Sequence, residues 1–367
     1  MRDSAKQYST IKHRIALANI FMAPAMLWLF LSTGIASYFK NTAQGVFYHD
    51  YASLAIFYVL TASLFYVISL PLEFYSGFTL EHRFSLSNQA LKGWLAREAK
   101  KNLVTFAISL PLVMILYAFL KSRPFDWWLW TAVVWFLVSI MLAKLAPIII
   151  VPIFYKYSPI KDAALKERMN RLIAKTGFKT GGVYELDMSK DTKKANAALL
   201  GMGKQKRIVL CDTLISNFSP EEIESVMAHE LGHHKLNHIW KLVISGGIFT
   251  LITFFLANEL FLKLHGFFGY RSLYDYESLI LIGFAVSVFN AFLAPLANAF
   301  SRRLEKDADE FSIKITGDAS AFISAMKKLG EQNLADAEPG KFYEILLYDH
   351  PPISRRIALA ESLKSRT

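Results

Sequence analysis

Six apolar stretches constrain this 367-residue chain more than any other feature. They run over Ile15–Tyr38, Leu54–Leu72, Val104–Leu120, Trp127–Ala143, Trp240–Leu262 and Leu279–Phe300. Each approaches the roughly 20 residues that a helix needs to cross a bilayer. Lipid cannot bond an exposed peptide group, so a segment crossing on its own must be helical. The expected fold class is therefore mainly α, a polytopic helical membrane protein with six spans, seven at most. The first stretch is too long for a removable signal peptide and lacks its small-residue cleavage site. After the fourth, Lys144 leads into LAPIIIVPIFY, where a short re-entrant or interfacial stretch would fit.

Charged residues make up only 19% of the chain and hydrophobic ones 53%. Soluble domains carry about 25% charged residues, so a disordered or tail-like protein is excluded. The single cysteine, Cys211, excludes an intrachain disulfide framework and a multi-cysteine zinc site. A net charge of +11 raises the question of nucleic acid. The cations, however, collect in alternate connections: Arg2, Lys6, Lys12 and Arg14, then Arg83, Lys92, Arg97, Lys100 and Lys101. The intervening connections hold Lys40, then Lys121 and Arg123, then Lys263 and Arg271. Basic loops mark the cytosolic side. Both termini and residues 155–239 are thus expected in the cytosol, the lipid bilayer is the expected partner, and no nucleic acid is.

Between the fourth and fifth spans the sequence reads as a small α+β unit. KDAALKERMNRLIAKTGF is an amphipathic helix stopped at Gly177, and β-like runs follow at Val183–Leu186, Ala195–Leu200 and Arg207–Cys211. Ser219, Pro220 and Glu222 then form a helix start with a capping box. That helix should run to about His238.

It carries His229-Glu230-Leu231-Gly232-His233. Histidines at i and i+4 share a face one turn apart, so both rings can reach one Zn²⁺. Glu230, offset from them, can act as general base toward a water acidified by the ion. Gly232 allows another segment or a substrate backbone to approach. A catalytic zinc needs a third protein ligand. The sixth span returns to the same boundary and is followed by SRRLEKDADEF. Glu305 is the candidate third ligand, with Asp309 one turn on to orient a ligating imidazole. A solvated helix face paired with nearby bases accounts for these acids equally well. His234 and His238, rotated from the metal face, read as outer or surface residues, and Cys211 as core. Asn258 and Glu259 lie near the far end of the fifth span.

AHELGHHKLNH, SRRLEKDADEFS and HPPISRRI resemble the type I CAAX prenyl protease family of integral-membrane zinc metalloproteases. PLEFYSGFTLEHRFSLSNQ, LAPIIIVPIFYKYSPI and KKANAALLGMGKQKRIVLCDTLI resemble family segments in family order, so the likeness extends over nearly the whole chain. It implies one zinc ion held by His229, His233 and Glu305, with Glu230 as base. Asp309 matches an acid behind the ligands. His350 and Arg356 match residues lining the site, His350 as a donor to the oxyanion. Asn196 and Ala197 match an edge strand that holds the substrate in extended form. Asn290 matches an inward-facing asparagine, for which an ordinary interhelical hydrogen bond is an equal reading.

Family members of the endoplasmic reticulum typically have seven spans and an insertion before the metal helix; here Asn217 runs straight into the capped helix. The compact form, without a dilysine ending, resembles a bacterial relative, expected in a cytoplasmic membrane with the zinc on the cytosolic side. Asn196-Ala197-Ala198 stands where family strands often read Asn-Ala-Tyr. The expected division is 1–154 (four spans), 155–239 (insert with the metal helix), 240–300 (two spans) and 301–367 (third ligand). The expected activity is a zinc endopeptidase cutting near the C-terminus of a prenylated or hydrophobic peptide. A quality-control protease for membrane proteins is the alternative. A transporter with a structural metal is disfavoured by the intact Glu230.

Overall fold

A computed structural model describes residues 2–177, 182–201, 207–270 and 272–365. The side chain of Arg2, all of Arg271, and residues 202–206 of the KKANAALLGMGKQKRIVLCDTLI segment lie outside the described residues.

The chain begins with α1 (Arg2–Ser32), then α2 (Ile35–Val46), α3 (Asp50–Phe74) and α4 (Leu80–Arg83). Next come α5 (Leu91–Ser122), α6 (Trp127–Leu145) and α7 (Val151–Phe154). A π turn at Tyr75–Thr79 joins α3 to α4, and another at Ala146–Ile150 joins α6 to α7. The insert contributes β1 (Tyr157–Pro159), α8 (Ala163–Thr176), β2 (Val183–Leu186), β3 (Ala197–Leu200) and β4 (Arg207–Cys211). It continues through α9 (Asp212–Asn217) and α10 (Pro220–Lys235). The chain then completes α11 (His238–His265), α12 (Tyr276–Thr316), α13 (Ala319–Gln332), α14 (Lys341–Leu347) and α15 (Ile353–Lys364).

Among the described residues, six helical stretches are long and apolar enough to cross a membrane: Asp3–Ser32, Asp50–Arg83, Leu91–Ser122, Trp127–Phe154, His238–His265 and Tyr276–Thr316. Exposed Trp130, Leu137 and Met141 on α6, Ile244, Ile248 and Leu251 on α11, and Phe292 and Leu296 on α12 give these helices apolar outer faces. The expected first span is corrected at its end: Gly34, with a φ of 77°, breaks the helix, and Tyr38 belongs to α2. LAPIIIVPIFY does not turn back on itself. A π turn at Ala146–Ile150 carries the fourth helix on to Phe154. The boundary expected at residue 300 falls inside α12, which runs unbroken for 41 residues.

The two largest apolar cores lie in different parts of the molecule. Leu54, Phe57, Leu120, Trp127, Phe254 and Phe261 pack among the membrane helices. Met169, Leu172, Ile208, Leu210, Leu214 and Met227 form the core of the insert, joined by Phe322 of α13 and Ala360 of α15. The sheet order is β1-β2-β4-β3, with β2 and β4 parallel and β3 antiparallel to β4 at the edge. β1 is an additional strand that the sequence did not announce, being only three residues long.

The start of α1, the insert and the C-terminal helices meet at one end of the bundle. Ser9 donates to the Leu334 carbonyl at 3.2 Å, His13 Nε2 lies 2.8 Å from the Tyr348 hydroxyl, and Lys194 reaches the Tyr8 hydroxyl at 2.8 Å.

Candidate active site

α10 is fixed at its start as its sequence requires. Ser219 Oγ accepts from the Glu222 amide at 3.3 Å, and Glu222 accepts from the Ser219 amide at 2.7 Å. Ser324 and Lys328 of α13 also donate to the Glu222 carboxylate, at 2.6 and 2.7 Å. Burial alone would raise the pKa of Glu222, but these donors hold it below the usual carboxylate value. The helix ends at Lys235, earlier than expected. Asn237 then takes a φ of 56°, a left-handed conformation that asparagine tolerates, and α11 departs from there.

α12 lies directly against α10. A Cβ on Gly232 would stand 3.1 Å from a Phe311 ring carbon, 3.2 Å from Ala308 Cα and 3.3 Å from its carbonyl oxygen. The segment that Gly232 admits is therefore α12, and this close approach brings Glu305 under the two histidines. His229 Nε2 lies 3.1 Å from His233 Nε2. Glu305 Oε2 lies 3.2 Å from the first, and Glu305 Oε1 3.1 Å from the second.

Two imidazole nitrogens and the two oxygens of one carboxylate thus gather at one place, each nitrogen about 3 Å from the other and from one of the oxygens. A tetrahedral ion with ligands about 2.0 Å away separates neighbouring ligand atoms by roughly 3.3 Å. Glu305 Oε2 is buried and has no hydrogen-bond partner among the described residues. Such an oxygen is costly unless a cation satisfies it. The residues present fit a metal ion.

His229 Nδ1 points away from the cluster, 2.8 Å from Asp309 Oδ1. Its proton therefore goes to Asp309, and Nε2 keeps the ligating lone pair. Arg356 forks onto Asp309 through Nε at 2.8 Å and Nη2 at 2.6 Å. Burial disfavours a charged ring at His229, yet the neighbouring Asp309 and Glu305 carboxylates outweigh it and hold its pKa up at about 9. The pocket stabilises positive charge at this point.

Three more expected residues stand around the cluster. Glu230 Oε2 accepts from the Leu199 amide of β3 at 3.3 Å, so its carboxylate faces the sheet edge. His350 Nε2 is 3.3 Å from Glu305 Oε2, and its Nδ1 is 2.8 Å from Asp349. Burial lowers the His350 pKa, but Asp349 and Glu305 raise it above the ordinary histidine value. Ala197 lies on β3 opposite Leu210, two residues from Leu199.

Asn196 is used differently: its carbonyl accepts from the Cys211 amide at 3.1 Å, inside the sheet. Asn290 is not brought to the cluster. It is 15 residues before Glu305 on α12, roughly 22 Å along the axis at 1.5 Å per residue. It accepts instead from Thr253 of α11 at 3.3 Å, an ordinary interhelical hydrogen bond. His238, set aside as outer or surface, is wholly buried, with Nδ1 3.1 Å from His233 Nδ1.

Residues 159–364 match peptidase family M48, and residues 2–156 match the CAAX prenyl protease N-terminal region, described by five membrane helices. That region here holds four helices of spanning length together with the shorter α2. The chain is 32% identical over 352 residues to CAAX prenyl protease 1 of Saccharomyces cerevisiae, covering 89% of this chain and 76% of the relative. It is 26% identical over 365 residues to the uncharacterized metalloprotease YhfN of Bacillus subtilis, covering 97% and 84%. The crystal structure of S. mikatae Ste24p has a TM-score of 0.84 at 25% identity, covering 98% of this chain and 88% of that one. The match through both halves, with a His-Glu metal cluster inside the M48 region, makes this chain a member of peptidase family M48, an integral multi-pass membrane metalloprotease.

Proposed function

We propose that the metal is one zinc ion held by His229, His233 and Glu305, and that Glu230 is the general base for hydrolysis of an extended peptide lying along β3. The observation that carries the chemistry is the cluster in which the two Nε2 atoms lie 3.1 Å apart, with Glu305 Oε2 3.2 Å from His229 Nε2 and Glu305 Oε1 3.1 Å from His233 Nε2. When bound, zinc supplies a lowered pKa for water and polarisation of the scissile carbonyl. Glu230 takes the proton from the attacking water and returns it to the leaving amine. His350 donates to the developing oxyanion. Asp309, held by Arg356, keeps the Nδ1 proton on His229 so that Nε2 faces the metal. No side chain bonds to the acyl group.

The substrate is taken to be a prenylated peptide cut near its C-terminus, by likeness to relatives named CAAX prenyl protease 1. The site is assigned to the cytosolic side because the basic connections belong there. The membrane is then a bacterial cytoplasmic membrane, or the endoplasmic reticulum membrane in a eukaryotic cell.

Glu230→Gln tests the chemistry. Zinc content should be unchanged while turnover falls by about 10²–10⁴; retained turnover removes the proposed base. A farnesylated CAAX peptide and an unmodified hydrophobic peptide test the substrate. Preference for the second would turn the reading toward clearance of unfolded membrane proteins.

A further inference from the structure

The outward edge of β3 closes sooner than the extended backbone does. Ala197 stands opposite Leu210, Ala198 opposite Val209 and Leu199 opposite Ile208. One step earlier, the Asn196 carbonyl accepts from Cys211. Hydrogen-bonded pairs alternate along an antiparallel ladder, so Asn196, Ala198 and Leu200 turn their peptide groups toward β4. Ala195, Ala197 and Leu199 turn theirs outward. The Leu199 amide meets Glu230, and Ala195 is already occupied. Asn333 Oδ1 accepts from the Ala195 amide at 2.9 Å, and Asn333 Nδ2 donates to the Ala195 carbonyl at 3.1 Å. A carboxamide carries the same donor and acceptor as a peptide unit. Asn333 stands where the next residue of a paired peptide would stand.

The carboxamide is firmly held. Asn333 caps the end of α13, and the next residue, Leu334, has a φ of 50° and accepts from Ser9 of α1. Gln332 donates to the Lys193 carbonyl at 2.6 Å, and Thr213 to the Lys194 carbonyl at 2.8 Å.

We propose that Asn333 is a positioning residue for the protease. Its side chain ends the pairing edge at Ala195, so a substrate pairs only from Ala197 toward Glu230, and this stop selects the bond presented to the metal cluster. The proposal rests on the reading that the substrate pairs with β3. Ala195 to Leu199 spans roughly 13 Å at 3.3 Å per residue, a short segment of substrate. Removing the carboxamide opens one further two-residue repeat of the edge. A peptide can then slip by two residues and keep its side chains on the same faces, whereas a slip of one would reverse them.

The experiment uses the full-length, zinc-loaded enzyme in liposomes with one defined peptide, its products read by mass spectrometry. Asn333→Ala and Asn333→Ser should each produce a second cut displaced by two residues. The displaced product should rise about tenfold, the size expected for one or two backbone hydrogen bonds. A single unchanged cut with lowered thermal stability would assign Asn333 a structural role only and overturn the proposal. The unaltered enzyme supplies a second reading from peptides of increasing length. Lengthening past the residue that reaches Ala197 should leave KM unchanged; a continued fall would overturn the stop. Replacing the substrate amide opposite Ala197 by an ester separates the two ideas. Unchanged binding would remove strand pairing, and this proposal with it. Weakened binding with an unchanged cut in both variants would remove the Asn333 stop alone.

Discussion

His233 Nδ1 lies 3.1 Å from His238 Nδ1 across the bend at Asn237. The two candidate zinc histidines are thus supported unequally. His229 donates to a carboxylate held by Arg356, whereas His233 faces a second imidazole whose Nε2 is buried without a hydrogen-bond partner among the described residues. Replacing His238 by Ala should weaken zinc binding about 10–100-fold, the usual effect of losing an outer partner. His238→Asn places an acceptor oxygen near the Nδ1 position and should keep more affinity than His238→Gln. Competition with a chromogenic chelator measures both, independent of turnover.

Arg356→Ala leaves the Asp309 carboxylate wholly buried with its fork removed. Breaking a buried pair on one side costs about 3–5 kcal/mol. Arg356→Lys keeps the charge but loses the two-point geometry, so its thermal inactivation midpoint should fall between those of Ala and the unaltered protein. Equal midpoints for all three would show that the pair does not hold α15 to α12.

Gly232→Ala places a methyl group against Ala308 backbone atoms that cannot rotate away. Overpacking of this kind costs about 1–3 kcal/mol. α10 and α12 must separate slightly, which widens the distance from both histidines to Glu305. Zinc affinity should fall more steeply than thermal stability, and a paired titration and melt would read the two losses.

Burial, helped by the neighbouring Asp212 carboxylate, pushes the Cys211 thiol up to about 12. An ordinary cysteine ionises near 8.5. Below the shifted value the thiol stays protonated, so iodoacetamide at pH 8 should leave the folded protein unlabelled and label it once denatured. Rapid labelling of the native enzyme would contradict the buried position on β4.

The capped helix and its histidine pair were legible because both depend on neighbours in sequence. Ser219 and Glu222 are three residues apart, and His229 and His233 one turn apart. A place for His238 behind the histidine pair was one of two readings, and its contact with His233 was not legible. Five residues after His233 on a continuous helix, it would point about 140° away. Only the left-handed Asn237 folds it back beside the first ring. Asn333 gave no signal either, since its partner Ala195 is 138 positions away. Asn196 and Ala197 were read as one edge, yet ladder alternation turns the Asn196 carbonyl into the sheet.

Sequence alone established that the chain crosses a membrane, and it singled out His229, His233 and Glu230 as candidates on one helix. Apolar length and i,i+4 spacing are local properties that a backbone expresses wherever it lies. It left Glu305 and Asp309 evenly balanced between ligand support and a solvated face. Packing excluded the solvated face: Gly232 lets α12 approach α10, Asp309 is completely buried, and the Glu305 oxygens lie 3.2 and 3.1 Å from the two histidine nitrogens, a group that could hold a metal. A metal cluster assembled from two helices needs both helix axes fixed in space, and that is set by packing contacts between residues distant in the chain.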